Sequence, residues 1–263
     1  MSFTSKSPSE TYKDITYVDN NNSGVTTSLK TIKTGEGTST ALSVSDRSLA
    51  VKSNTDNTAA LDIKNASGTS KLLVDTTNNQ VKALGIHVNT QYANFSTGYT
   101  ESASAAAGTH EMLTFESANY GNLGVYVPNL GTGTDPATTF TTSISNAEKA
   151  GDLVPCLWYV PDNIAIDSVH SLEGADAASG DTTRMHCLSF DFTSGATACL
   201  TNGVLLAHNS DVTNAGAEQP YLTTWTVDSS SVASGKVIVA TYESDTINSD
   251  YSIQIRIRYH ITG

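Results

Sequence analysis

Apolar residues recur two apart along residues 41–85, in short triplets: Leu42-Ser43-Val44, Leu49-Ala50-Val51, Leu61-Asp62-Ile63, Leu72-Leu73-Val74 and Val81-Lys82-Ala83. A period of two marks a strand with one dry face. Small polar residues fill the gaps, with turn chemistry at Asn54-Thr55-Asp56-Asn57, Asn65-Ala66-Ser67-Gly68 and Thr76-Thr77-Asn78-Asn79. The triplets begin at 42, 49, 61, 72 and 81, which suits strand–turn–strand units and is too irregular for a strict solenoid. No aromatic, Pro or Cys occurs between Tyr17 and Tyr92. Strands whose one dry face carries mostly Leu, Val and Ile cannot build a core from a single copy of the chain. Either the segment is disordered or several chains supply the missing walls, and disorder does not require turns at strand ends. The pattern therefore predicts a homotrimeric β-stem in which Leu42, Val44, Leu49, Val51, Leu61, Ile63, Leu73, Val74 and Val81 meet around an axis too narrow for large rings.

The flanking regions have other textures. Residues 1–40 are polar and carry two turn clusters, Asp19 to Gly24 and Gly35 to Gly37, which predicts an extended arm with short strands, for example at Ile15–Val18. From about residue 86, sixteen of the 19 aromatics and all prolines but Pro8 appear. Strands are predicted there at His110–Phe115, Leu123–Val127, Val154–Tyr159, Ile164–His170, Met185–Phe192, Val204–Ala207, Tyr221–Val227, Lys236–Tyr242 and Tyr251–Ile261. The last is the clearest: Tyr251, Ile253, Ile255, Ile257, Tyr259 and Ile261 point one way, and Ser252, Gln254, Arg256, Arg258 and His260 the other. Helical signal is confined to Glu101–Gly108, without an apolar stripe, and a single turn at Ser145–Ala150. The predicted fold is all-β: an extended N-terminal arm over 1–40, a short-stranded trimeric β-stem over 41–85, and a C-terminal jelly-roll-like β-sandwich head over 86–263.

Composition narrows the function classes. Only 15% of residues are charged, while small polar residues abound, as in extracellular and virion β-proteins. The net charge of −12 is uneven: residues 1–85 carry +1 and the remainder −13. Without a Lys/Arg cluster, the acidic part is a poor partner for nucleic acid, and its charge serves solubility and repels other copies. No run nears the roughly 20 apolar residues of a membrane span. Met1 to Lys6 leads into polar sequence without an apolar signal region, so synthesis in a cytosol is expected. The odd set Cys156, Cys187 and Cys199 predicts mostly buried free thiols.

Candidate chemistry is thin. Asp19, Asn21, Ser23 and Gly24 fit the start of a calcium loop, but the twelfth position is Lys30 where a bidentate Glu is needed, so the cluster is predicted to be a turn. Cys187 and Cys199 lack the close-spaced partner of a zinc site, and His186 and Cys187, adjacent on a strand, face opposite ways. His208 and Asp211 share a polar loop, too few groups for a metal. Carboxylates that could serve glycan hydrolysis occur at Glu111, Glu116, Glu173, Asp176, Asp181, Glu218, Glu243 and Asp245, but Trp158 and Trp225 lie within predicted strands rather than beside them as sugar platforms. No nucleophile elbow or phosphate-binding glycine loop is present. The expectation is a protein without catalytic residues, metal or cofactor.

Several segments resemble a known class. Tyr12-Lys13-Asp14-Ile15, Val18 to Val25, Leu29 to Gly37 and Ala41 to Ser45 resemble the N-terminal segment of fibre-like virion proteins of tailed bacteriophages, marine ones especially. Leu61 to Gly68 and Leu73 to Lys82 are similar to their stem strands. Leu157 to Ile164, Gly174 to Asp181 and Arg258 to Ile261 are similar to their C-terminal domain. The resemblance implies a homotrimeric virion structural protein, made in the host cytoplasm and exposed on the particle. Its arm, through Tyr12, Ile15, Tyr17 and Val18, would bind another virion protein. A capsid decoration or head fibre is one location; a tail fibre that touches a host-surface glycan or protein, through loops such as 171–184 and 208–219, is the alternative. A stem over residues 41–85, even fully extended, spans at most about 150 Å at ~3.3 Å per residue, which favours the capsid.

Overall fold

The computed structural model describes residues 15–21, 23–97, 110–116, 154–175, 179–180, 182–196, 200–216, 219–245 and 251–262. The chain divides into two compact units, Met1–Val88 and Asn89–Gly263.

The first unit contains two antiparallel meanders of four strands each, in which every strand pairs with the next. One consists of β1 (Thr16–Val18), β2 (Lys30–Thr34), β3 (Ser39–Val44) and β4 (Leu49–Val51). The other consists of β5 (Leu61–Lys64), β6 (Ser70–Asp75), β7 (Gln80–Ala83) and β8 (Ile86–His87). Each apolar triplet thus lies on a strand. The described part of the arm is hydrogen-bonded into the stem, because β3 runs across residue 40 and pairs with both β2 and β4. Turn chemistry sets the hairpins. Asp75 Oδ1 accepts from the Asn78 amide at 2.9 Å and Oδ2 from Asn78 Nδ2 at 2.8 Å, which bends the chain between β6 and β7. Between β7 and β8 both central residues, Leu84 (φ 55°) and Gly85 (φ 82°), are left-handed, as in the two-residue turns that match strand twist.

The second unit holds β9 (Thr90–Thr97), β10 (Glu111–Met112), β11 (Thr114–Phe115), β12 (Trp158–Tyr159), β13 (Ile164–Ala175), β14 (Thr182–Phe192), β15 (Leu200–His208), β16 (Val212–Thr213), β17 (Gln219–Thr224), β18 (Thr226–Val227), β19 (Ser231–Val232), β20 (Lys236–Ser244) and β21 (Tyr251–Ile261). They form two antiparallel sheets. The first has the order β11-β9-β21-β13-β17, with β19 beside β13, and the second β10-β20-β14-β15-β18, with β12 and β16 on its flanks. Taken in chain order, the eight principal strands β9, β10, β13, β14, β15, β17, β20 and β21 run 1-8-3-6 in one sheet and 2-7-4-5 in the other. That order is the jelly roll, so the head has the predicted architecture.

The core follows from strand alternation. Phe95, Val169, Ile253, Ile255 and Ile257 of the first sheet pack with Met185, Cys187, Ile238, Ala240 and Tyr242 of the second, together with Trp158 and Trp225. Both Trp are thus core, as the sequence suggests. The alternate positions of the second sheet are buried too: Leu188, Phe190, Val237 and Val239 pack with Met112, Cys156 and Leu200. Buried on both faces, β20 carries the continuous run Val237-Ile238-Val239-Ala240 rather than an alternation. Among the described residues the outer face of the first sheet is uncovered, and β21 alternates as predicted from Ser252 to Ile257, with Ile253, Ile255 and Ile257 buried and Gln254 and Arg256 exposed, whereas His260, on the side predicted to be polar, is buried beside Asp167.

The structure differs from the expectation in places. Strand β9, central to the first sheet, was not anticipated. Val154–Cys156 is a 3-10 turn, so the strand expected at Val154–Tyr159 shrinks to β12. Strand β13 runs on to Ala175, so residues 171–175 are strand and not loop. The predicted strand at 123–127 and the helical turns at 101–108 and 145–150 lie outside the described residues. Among the described residues no helix is long and apolar enough to cross a membrane.

Candidate functional site

The stem residues assemble into rows. In the first meander Leu42 stands opposite Val51 and Val44 opposite Leu49. In the second, Leu61–Val74–Val81 form one row and Ile63–Leu72–Ala83–Ile86 the next. Leu73 falls elsewhere: it stands between Asp62 and Lys82, on the opposite face, and Leu72 takes its place among the apolar residues. The reason is the strict two-residue period of a strand, which allows one face to hold Leu72 and Val74 but not Leu73.

Among the described residues these rows are half-buried or exposed, and none of their side chains is fully covered. Among the described residues from Ile15 to Val88, no apolar side chain is buried; all buried apolar residues lie at Ala93 and beyond. Leu49 is 67% exposed, Ile63 50% and Leu84 72%, with Leu42, Val51, Val81, Ile86 and Val88 also exposed. The area of apolar surface left in water is what a sheet shows when its packing partner is another molecule.

Of the predicted anchoring residues, Tyr12 lies outside the described residues. Ile15 and Tyr17 are exposed and Val18 is half-buried, with Val18 opposite Ile32 and Tyr17 opposite Lys33. The polar cluster that follows is a turn, as expected. Asp19 Oδ2, the first would-be calcium ligand, sits 2.7 Å from Lys33 Nζ and so links β1 to β2, and Asn20 Nδ2 donates to the Gly24 carbonyl at 2.7 Å within the turn.

The head carries two buried polar networks that link distant parts of the chain. In one, Glu173 Oε1 accepts from Ser171 Oγ at 2.8 Å and Oε2 from Thr183 Oγ1 at 3.2 Å, while Trp225 Nε1 donates to Ser171 Oγ at 2.9 Å. Ser171 and Glu173 belong to β13 and Thr183 to β14, so the network ties the two sheets together. Glu173 is 2% exposed, and burial pushes its carboxyl above the ordinary glutamate range, against the opposing hydrogen bonds from Ser171, Thr183 and Thr223.

In the other, the His110 and His186 rings stack with centroids 4.1 Å apart. His110 Nδ1 lies 3.1 Å from Thr241 Oγ1, and His110 Nε2 lies 3.5 Å from Glu243 Oε2. Arg184 Nη1 donates to Glu243 Oε1 at 3.0 Å and Arg184 Nε to Asp211 Oδ1 at 3.0 Å. Desolvation raises the Glu243 carboxyl, and the Arg184 charge opposes the rise. His186 and Cys187 do face opposite ways, His186 toward His110 and Cys187 into the sandwich core, where burial pushes its thiol up strongly. His208 and Asp211 part company: His208 Nδ1 lies 2.8 Å from Asp228 Oδ2, and Asp211 serves Arg184. Asp176, Asp181 and Glu218 lie outside the described residues, as does Cys199. The His110–His186 pairing escaped the sequence reading because the two are joined only through β20, at Thr241 and Glu243. These groups are cross-linked to one another within the fold, which is the arrangement of polar groups that specify a core.

No protein-family model matches the chain, and no curated protein matches it. Among solved structures, the crystal structure of an aminopeptidase from the marine sediment archaeon Thaumarchaeota archaeon aligns with 73% of this chain and 40% of its own, at 9% identity and a TM-score of 0.34. The alignment thus spans less than half the length of that protein, and a likeness of this size assigns neither fold nor activity.

Proposed function

We propose that the chain is a non-enzymatic structural protein of a tailed-bacteriophage particle: a homotrimer held together by its stem, anchored by its N-terminal arm to another virion protein, with the acidic jelly-roll head displayed outward. The carrying observation is the lack of any buried apolar side chain among the described residues from Ile15 to Val88, where Leu42, Val51, Leu61, Ile63, Leu72, Val74 and Val81 nonetheless line up in rows. Rows of this kind are stable in water only when another surface covers them, and identical chains bring the same rows to a shared axis. The resemblance of the arm and stem to fibre-like virion proteins supplies the setting, and the jelly roll is a fold that capsid proteins use. The arm offers Ile15 and Tyr17, both exposed, to a docking partner.

The test is electron microscopy of the virion labelled with antibody to the head. Label spread over the capsid in many copies is the expected result. Label confined to the tail would move the protein to the tail-fibre class, and particles without label would overturn the virion reading.

A further inference from the structure

Leu172 on β13 and Leu222 on β17 stand directly opposite each other on the outer face of the first head sheet, 52% and 72% exposed. Pro220, also exposed, lies in the next row opposite Gly174. Away from these residues the face is polar except for Tyr92, which stands opposite Arg258 and is exposed: Gln254 and Ser96 continue the leucine row, and Asn94, Arg256, His170 and Thr224 form the row beside it. The same face holds Arg256 and Arg258, two of the five Lys and Arg in residues 86–263, a region of net charge −13. Arg256 Nε donates to Asn94 Oδ1 at 3.2 Å, and no carboxylate pairs with it among the described residues. Among the described residues, Asp167 Oδ2 lies 3.8 Å from Arg258 Nε.

We propose that this face, centred on Leu172 and Leu222, is where one head meets the next head of the same trimer. The inference rests on the trimer proposed above. Only Val88 and Asn89 separate β8 from β9, so three chains joined through their stems carry three heads on very short tethers. Tethering of that kind sets an effective concentration in the millimolar range, at which a small patch suffices for contact. Charge selects the patch. Acidic heads held close repel one another, and the strand bearing Arg256 is the part of the surface that an acidic neighbour attracts. In a three-fold ring the contact is heterologous, leucines and arginines of one head against a different, acidic surface of the next. The contact is made by side chains rather than by strand addition: among the described residues β17 is the sheet edge, and Pro220 removes an amide donor from it.

Hydroxyl-radical footprinting of the full chain tests this, with the oxidation of Leu172 and Leu222 read by mass spectrometry. In the wild-type trimer both should react about tenfold more slowly than in the L49D/I63D variant, whose stem cannot assemble. A second variant keeps the stem intact: L222R should remain a trimer by light scattering and lose the protection of Leu172. Equal rates for Leu172 in the wild-type trimer and in either variant overturn the head contact while leaving the stem trimer standing, and leave this face to a host ligand or another virion protein. A monomeric wild type overturns both.

Discussion

Glu173 is a carboxyl with three hydroxyl partners and, among the described residues, no cationic partner, buried where two sheets meet. Its desolvation makes the folded head hold a proton more tightly than the unfolded chain does. The stability this contributes is fully present below the unfolded glutamate value, about 4.3, and is lost as pH rises through the raised folded value. Each unit of that rise corresponds to about 1.4 kcal/mol at alkaline pH. The glutamine variant keeps the shape and cannot ionise. Glu173→Gln should therefore melt higher than wild type at pH 8, match it near pH 4 and flatten the pH dependence between, as read by calorimetry of the full chain. A variant less stable than wild type at pH 8 would mean that Glu173 is ionised and usefully paired in the fold. The Glu243 carboxyl, also raised by burial, has Arg184 to offset its charge and is a poorer choice for the same experiment.

At the scale of elements, the turn between β7 and β8 separates a lone stem from an assembled one. Leu84 holds φ 55°, a conformation suited to Gly or Asn, and exposes its side chain. A leucine at such a position is strained by about 1 kcal/mol, so a lone hairpin should gain from Leu84→Asn. If Leu84 is covered by another chain, the substitution instead loses roughly 1.5–3 kcal/mol of burial and lowers the melting temperature of the stem. The trimer account predicts the lower melting temperature, measured by thermal scanning of full-length protein at fixed concentration. The elements also show what a sequence can reveal. All five stem triplets are strands because a one-sided period of two leaves little else for a polar segment to form, and β21 alternates cleanly enough from Ser252 to Ile257 that its buried and exposed faces there follow from its residues. Strand β9 was hidden because Ala93 and Phe95 are its only buried apolar residues among the described side chains, with Gln91 on the same side, too few for the pattern to register. Leu73 misled for the opposite cause: three apolar residues in a row do not say which face they favour until Asp62 and Lys82 are seen beside the middle one. The His110–His186 stack depends on both histidines flanking β20, a long-range pairing that no local pattern encodes.

For the whole molecule, two units of the same chain solve the problem of apolar surface differently. The jelly roll of Asn89–Gly263 closes on itself, with Phe95, Phe190, Met112, Met185 and Leu206 fully buried. The described residues of the unit Met1–Val88 align their leucines and valines and bury none of them fully, leaving Leu42, Leu49, Val51 and Val81 exposed. A stable protein with such a surface needs copies of itself or another partner, and the proposed role as a displayed virion component follows from that need together with the resemblance of the arm. The most direct measurement is the mass of the full-length protein in solution, by sedimentation equilibrium at micromolar concentration. The account predicts three times the chain mass, falling to that of a single chain when Leu49 and Ile63 become Asp. A folded monomer whose stem resists protease would contradict it.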